Sequence, residues 1–128
     1  MKVQAHFVAD SALFAVDGTF TVYRGGITEM RSATWPVMSK LAIITRLALE
    51  PDEVSGLIEV RLRFLHENQL LGEAGQPIAA RVPDPARPVY VNSIVELNMG
   101  IPGPGTITIE ATVDDKRLPL LYLWAIQT

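Results

Sequence analysis

Hydrophobic and polar residues alternate in several strand-length segments of the chain. In "LIEVRLRF" the even-numbered residues 58 to 64 are apolar, and the odd-numbered residues 59 to 63 are charged. In "TITIEATV" the odd-numbered residues 107 to 113 are apolar and the residues between them are polar. A period of two residues is typical of a strand with one buried and one solvated face. The pattern therefore favours antiparallel sheets over a parallel sheet that is covered on both sides.

Turn-forming residues separate the segments at fairly even intervals. They occur at Asp17-Gly18, Gly25-Gly26, Glu50-Pro51-Asp52, Gly72 to Pro77, Pro83 to Pro88, Gly100 to Gly105 and Asp114-Asp115. Further strands are predicted at Gln4 to Ala9, Leu13 to Val16, Thr19 to Arg24, Met38 to Leu49, Tyr90 to Met99 and Leu118 to Ile126. This spacing predicts one all-β domain over residues 1–128, an antiparallel two-sheet β-sandwich of about seven or eight strands with Greek-key connections. A closed small barrel is the alternative.

Helical structure is expected at one place at most. Residues Glu50 to Val54 can form a single turn with Pro51 at its first position, where the missing N–H costs nothing. The sequence Gly100-Ile101-Pro102-Gly103-Pro104-Gly105 resembles a ligand loop at first sight. It lacks the Lys and Ser/Thr of a phosphate-binding loop, and its prolines remove N–H donors. It is therefore interpreted as a rigid corner between two strands.

The overall charge disfavours nucleic acid and membranes as partners. The formal net charge is −3 and the 11 basic residues are scattered, so neither nucleic acid nor a membrane surface is an expected partner. The chain has no cysteine, which suits a reducing compartment. The first residues lack an unbroken apolar run, and "LPLLYLWAI" is too short to cross a bilayer. A cytoplasmic protein is expected.

Catalytic chemistry has little support among the residues. No serine lies in a Gly-x-Ser-x-Gly turn, and no Gly-Lys-Ser/Thr follows a glycine-rich loop. The two histidines, His6 and His66, could form a site with nearby carboxylates if their strands meet. A small hydrolase or metal-dependent enzyme using His6 and His66 is therefore the alternative hypothesis. Neither a cofactor nor a bound metal is expected.

The last predicted strand is apolar on both faces. In "LPLLYLWAI", Leu121, Leu123 and Ala125 point one way, and Leu120, Tyr122, Trp124 and Ile126 point the other. One face can enter the core, so the second needs cover from a neighbouring segment, such as Pro83 to Pro88, or from another subunit. A homo-oligomer or a protein partner is therefore expected.

Aromatic residues are the candidate binding residues. Trp35, Tyr90, Tyr122 and Trp124 are the candidates for a binding surface or an interface. Tyr23, Trp35, Tyr90 and Trp124 could also form an aromatic platform for a sugar or a peptide.

The order of the motifs resembles that of a known family. Ala9, Asp10 and Ala12 precede the turn at Asp17-Gly18, a strand ends at Gly25-Gly26, Trp35-Pro36 opens a long strand, and Gly105 and Asp114-Asp115 frame a closing hairpin. In this order the chain resembles an uncharacterised family of small bacterial β-sandwich proteins, although Asp115 stands where a glycine is expected. The resemblance implies the fold and no reaction or cofactor. The main hypothesis is a noncatalytic binding or assembly module.

Overall fold

The computed structural model describes residues 1–54 and 56–128 and contains ten strands in that part of the chain. The strands are β1 (Lys2–Phe14), β2 (Phe20–Gly25), β3 (Glu29–Ser32), β4 (Val37–Leu49), β5 (Leu57–His66), β6 (Gln69–Ala79), β7 (Val89–Ile101), β8 (Gly105–Val113), β9 (Lys116–Arg117) and β10 (Leu121–Gln127). A 3-10 turn at Pro51–Glu53 is the helical element, as expected for Glu50 to Val54.

The strands form two sheets that do not close into a barrel, so the sandwich is confirmed and the barrel alternative is wrong. The smaller sheet has the order β2-β1-β4-β7. The larger sheet has the order β3-β10-β8-β5-β6, with β9 paired to β8. All pairs are antiparallel except β3 with β10.

The main core lies between the two sheets. The apolar residues of β5 and β8 that alternate in the sequence are buried, and they meet the odd-numbered residues of β4 and β7. Burial of these side chains removes apolar surface from water, which is the main stabilising contribution in a domain of this size. The charged residues of β5 face solvent, so the predicted orientation of both strands is confirmed.

A hairpin formed by β1 and β2 lies over the outer face of the smaller sheet. The first part of β1 pairs with β4, and the part from Ala9 onward pairs with β2. The Ala12 N–H donates to Glu96 Oε1 at 3.2 Å, and Asn92 Nδ2 donates to the Gly18 carbonyl at 3.4 Å. Glu96 and Asn92 belong to β7, beyond β4 in the sheet order. A second apolar cluster is buried between this hairpin and β4; its residues are Ala9, Ala12, Ala42 and Ile44.

Two predicted boundaries of strands are wrong. Gly72 to Pro77 is not a turn, because it lies inside β6. An edge strand bonds to a neighbour on one side only, so it tolerates a proline without losing a buried bond. Strand β1 is continuous up to Phe14, so it joins the predicted strands Gln4 to Ala9 and Leu13 to Val16 and ends two residues before Val16. The continuous β1 removes one predicted strand, whereas β6 and the short strands β3 and β9 add three, so the described chain has ten strands and not seven or eight.

The glycine-proline segment is a corner between the sheets, as predicted. Strand β7 of the smaller sheet ends at Ile101, and β8 of the larger sheet begins at Gly105. His66 Nε2 donates to the carbonyls of Gly103 and Pro104 at 2.9 and 3.1 Å. The Thr106 N–H donates to Glu67 Oε1 at 2.8 Å. The end of β5 therefore fixes the corner.

Across the described ranges, no helix is both long enough and apolar enough to cross a membrane.

Candidate functional site

Two aromatic residues lie on the solvent side of β10. Tyr122 and Trp124 have 43% and 45% of their surface exposed, whereas Leu123 between them is fully buried. Their ring centroids are 6.1 Å apart and the ring planes differ by 28°. The two-residue period of a strand places both rings on one face, as the sequence predicts. The described residues leave these two rings nearly half exposed, so the segment Pro83 to Pro88 does not supply the cover suggested for them.

The neighbouring strands extend this surface with polar side chains. Thr108 and Thr106 on β8 lie directly opposite Tyr122 and Trp124. Farther along β8, Glu110 lies opposite Arg63 of β5. We call this surface the exposed face of the larger sheet; it includes Tyr122, Trp124, Thr106, Thr108, Glu110, Thr112, Glu59, Arg61, Arg63, Glu73, Glu29, Arg31 and Arg117.

The charged residues on this face pair with one another. Arg63 Nη1 lies 3.4 Å from Glu110 Oε2, and Arg63 Nε lies 3.3 Å from Glu73 Oε1. Arg61 Nε donates to Glu59 Oε1 at 2.9 Å, and this partner raises the pKa of Arg61 above its ordinary value. Exposed pairs of this kind contribute little to stability. Their main effect is that the face carries both signs of charge at close spacing.

A depression of about 350 Å³ lies among these charged residues. It forms because Gly75 of β6, opposite Arg61, has no side chain on this face. A Cβ atom at Gly75 would lie 3.6 Å from the Val60 carbonyl oxygen, which is an ordinary contact. This part of the face is not predicted from the sequence, since Gly72, Gly75 and Pro77 conceal the alternation in β6. The sequence feature that could have indicated a strand here is the pair Ala74 and Ile78, which are apolar and lie an even number of residues apart, as on one face of a strand.

The other aromatic candidates lie elsewhere. Trp35 precedes β4 and is half-buried against the main core, and its Nε1 donates to Gln127 Oε1 at 2.7 Å. Tyr90 lies on the outer face of the smaller sheet, beneath the guanidinium of Arg46. Tyr23 is exposed on β2. Of the candidate residues, the structure brings Tyr122 and Trp124 together and places Trp35 and Tyr90 apart from them.

His6 belongs to a row of polar groups inside the smaller sheet. It lies opposite Thr45, and its Nδ1 is 2.9 Å from Thr45 Oγ1. Thr45 lies opposite Ser93, and Ser93 Oγ donates to Gln76 Oε1 at 3.3 Å. The Nε2 atom of His6 is buried without a hydrogen-bond partner. Burial lowers the pKa of His6 below its usual 6.5, because it disfavours the charged imidazolium.

This lowered pKa predicts a loss of stability in mild acid. The folded protein binds a proton on His6 less readily than the unfolded chain, so the stabilising contribution is complete above the usual pKa of 6.5 and decreases as the pH falls toward the lowered value. Urea unfolding at several pH values should show this decrease. His6→Gln, which keeps a polar group but does not titrate there, should reduce the pH dependence in this window. Equal pH dependence in both proteins would contradict the assignment.

The two histidines do not form a common site. His66 lies at the end of β5 and contacts the corner next to Ile101, which pairs with Val37 of β4. His6 lies opposite Thr45, eight residues farther along β4 than Val37. At about 3.4 Å per residue this separation along the strand is about 27 Å. Both imidazoles contact groups other than carboxylates, so the structure does not favour the enzyme hypothesis based on His6 and His66.

Within residues 1–54 and 56–128, no group of three or more His, Asp or Glu residues is arranged to hold a metal ion.

The comparisons with known proteins agree with the resemblance seen in the motifs. No curated protein matches the chain. Residues 4–123 match a family of unknown function, DUF6941. This match includes most of the first strand, the Asp17-Gly18 turn, the corner before Gly105 and the first three residues of β10. Because the match covers nearly all of the chain, the protein belongs to the DUF6941 family, a family of unknown function.

Proposed function

We propose that the protein is a noncatalytic assembly module that self-associates through the exposed face of the larger sheet. The observation that carries this proposal is the stacked pair Tyr122 and Trp124, whose rings lie on a sheet face that the described residues leave uncovered. Aromatic residues are enriched at the centres of protein interfaces, because they bury much apolar area with little loss of side-chain freedom.

The charges on this face favour a second copy of the chain as the occupant. The face presents four guanidinium groups and four carboxylates, those of Arg31, Arg61, Arg63, Arg117, Glu29, Glu59, Glu73 and Glu110. Positive and negative side chains nearly balance on this face, so it attracts a strongly charged partner only weakly. In a two-fold arrangement each copy presents the same mixed charges to the other, and carboxylates of one copy can meet guanidinium groups of its partner.

Two features of the chain support the proposed Greek-key connectivity and the proposed cytoplasmic location. The chain crosses from one sheet to the other after β2, β3, β4, β6 and β7. This order supports the Greek-key connectivity expected from the turns. The absence of cysteine from the sequence supports a reducing compartment, and we include a cytoplasmic location in the proposal.

Light scattering over a series of concentrations tests the self-association. We expect the wild-type mass to rise from monomer toward dimer between low micromolar and millimolar concentration. Trp124→Ser should remain a monomer over most of this range, since it removes half of the aromatic pair. Tyr23→Ser is the matched control, because Tyr23 is exposed on β2 of the other sheet. It should associate as the wild type does.

A second variant tests the charged half of the face. Gly75→Thr should fill the depression and weaken the association without unfolding the protein, because a Cβ there meets only ordinary contacts. Threonine also suits a strand better than glycine does. A wild-type protein that stays monomeric throughout would overturn self-association. A dimer that is unaffected by both Trp124→Ser and Gly75→Thr would overturn the assignment of the face.

A further inference from the structure

An open cleft of about 570 Å³ lies between the tip of the β1–β2 hairpin and the outer face of the smaller sheet. Its walls are residues 17–20 of the hairpin tip on one side, and Arg46, Tyr90 and Asn92 on the other. This cleft is separate from the exposed face of the larger sheet, since its residues belong to the turn at the hairpin tip and to strands β2, β4 and β7 of the smaller sheet.

The guanidinium of Arg46 is held in a fixed position within this cleft. Its Nε donates to Gln4 Oε1 at 2.9 Å, and its Nη1 donates to Asn92 Oδ1 at 2.9 Å. Its central carbon lies 4.6 Å from the centroid of the Tyr90 ring. Strand β1 has a bulge where it pairs with β4. Val3 and Ala5 lie opposite consecutive residues of β4, so Gln4 between them is an extra residue without a partner of its own. The bulge therefore supplies a residue that contacts the arginine.

Both hydrogen-bond acceptors of Arg46 are neutral amides. Five other arginines of the described chain pair with a carboxylate within 4.0 Å, namely Arg24, Arg31, Arg61, Arg63 and Arg87. Arg46 is less exposed than these, and it has no such partner among the described residues. A partly buried cation with no carboxylate within 4.0 Å favours the binding of an anion, because a directly contacting anion compensates its charge where water is partly excluded.

We infer that this cleft binds the carboxylate of a small ligand that carries a flat apolar group. A guanidinium has five N–H donors, of which Gln4 and Asn92 occupy two. The remaining donors are one on Nη1 and two on Nη2, and one from each nitrogen can bind a carboxylate through two parallel hydrogen bonds. The apolar group of the ligand can then lie against Tyr90 and Phe20, which both line the cleft.

The surrounding charges favour a carboxylate over a phosphate. Arg46 is the one cationic residue in the lining of this cleft, and Asp17 adds a negative charge at its rim. Hydrogen bonds from the Thr19 side chain and N–H lower the pKa of Asp17, so it stays ionised. A phosphate dianion would need a second cation, and Asp17 would repel its double negative charge more strongly than the single charge of a carboxylate.

A titration with benzoate followed by backbone amide NMR tests the inference. Benzoate should shift amide signals of the hairpin tip and of residues near Arg46, with saturation in the millimolar range. Benzamide, which has the same shape without the charge, and phenyl phosphate should bind at least tenfold more weakly. The Arg46→Gln variant should lose at least tenfold in affinity for benzoate.

A second variant distinguishes a loss of binding from a loss of the folded structure. Arg46→Lys keeps the positive charge but lacks the planar pair of donors, so it should bind benzoate several-fold more weakly while the rest of its spectrum stays folded. Trp124→Ser, on the other sheet, should bind benzoate as the wild type does. Absence of saturable shifts at the cleft, or equal affinity of wild type and Arg46→Lys, would overturn the inference. Neither result would affect the proposed self-association.

Discussion

Gly105→Val is expected to lower the free energy of unfolding by about 3 kcal/mol, since it combines backbone strain with a steric conflict. Gly105 has a φ of +142°, which residues with a Cβ rarely adopt. A Cβ at this position would lie 2.5 Å from Glu67 Oε1 and 3.1 Å from His66 Nε2. Both side chains hold the corner between the sheets, so they cannot move aside without losing their hydrogen bonds. Urea unfolding measures the change.

Gly103→Ala is the matched control in the same corner. A Cβ at Gly103 meets no atom within 4 Å, and Gly103 is not among the glycines with positive φ. This variant should change stability by less than about 0.5 kcal/mol. Similar losses in Gly103→Ala and Gly105→Val would contradict the view that His66 and Glu67 fix the corner.

Leu123→Ala is expected to lower the free energy of unfolding by about 3 kcal/mol. Leu123 is fully buried in the main core, on the inner side of β10. Truncation removes the apolar surface and leaves a cavity that the surrounding strands fill only in part. Thermal and urea unfolding of the variant, compared with the wild type, measure this loss.

The neighbouring residue provides the control for the orientation of β10. Trp124→Ala should cost less than about 1 kcal/mol at concentrations where the protein is a monomer, because its ring is nearly half exposed. The measurement is made at low protein concentration, since association between folded copies would raise the apparent stability by mass action. A larger loss from Trp124→Ala than from Leu123→Ala would mean that the two faces of β10 are assigned the wrong way round.

The sequence was sufficient for features that depend on local patterns. The two-residue period of β5 and β8 predicts both strands and their buried faces. The two apolar faces of "LPLLYLWAI" predict that Tyr122 and Trp124 lie opposite Leu123, and the structure places them so. The Asp17-Gly18 turn and the corner before Gly105 follow from the conformational needs of glycine.

Other features depend on which strands meet, which local patterns do not specify. The sequence predicts a turn at Gly72 to Pro77 because of its glycines and proline, but these residues lie in β6, an edge strand that tolerates them. The cleft at Arg46 requires Gln4, Arg46 and Asn92 from three different strands, and a bulge in β1 sets part of this arrangement. No spacing in the sequence relates these three positions.

The exposed face of the larger sheet is tested most directly by backbone amide NMR over a dilution series. If two copies meet through this face, the signals that move with concentration should belong to β5, β8 and β10, around Thr108 and Trp124. Signals of β2, including Tyr23, should remain fixed. Concentration-dependent shifts confined to the smaller sheet, or none up to millimolar protein, would contradict the account.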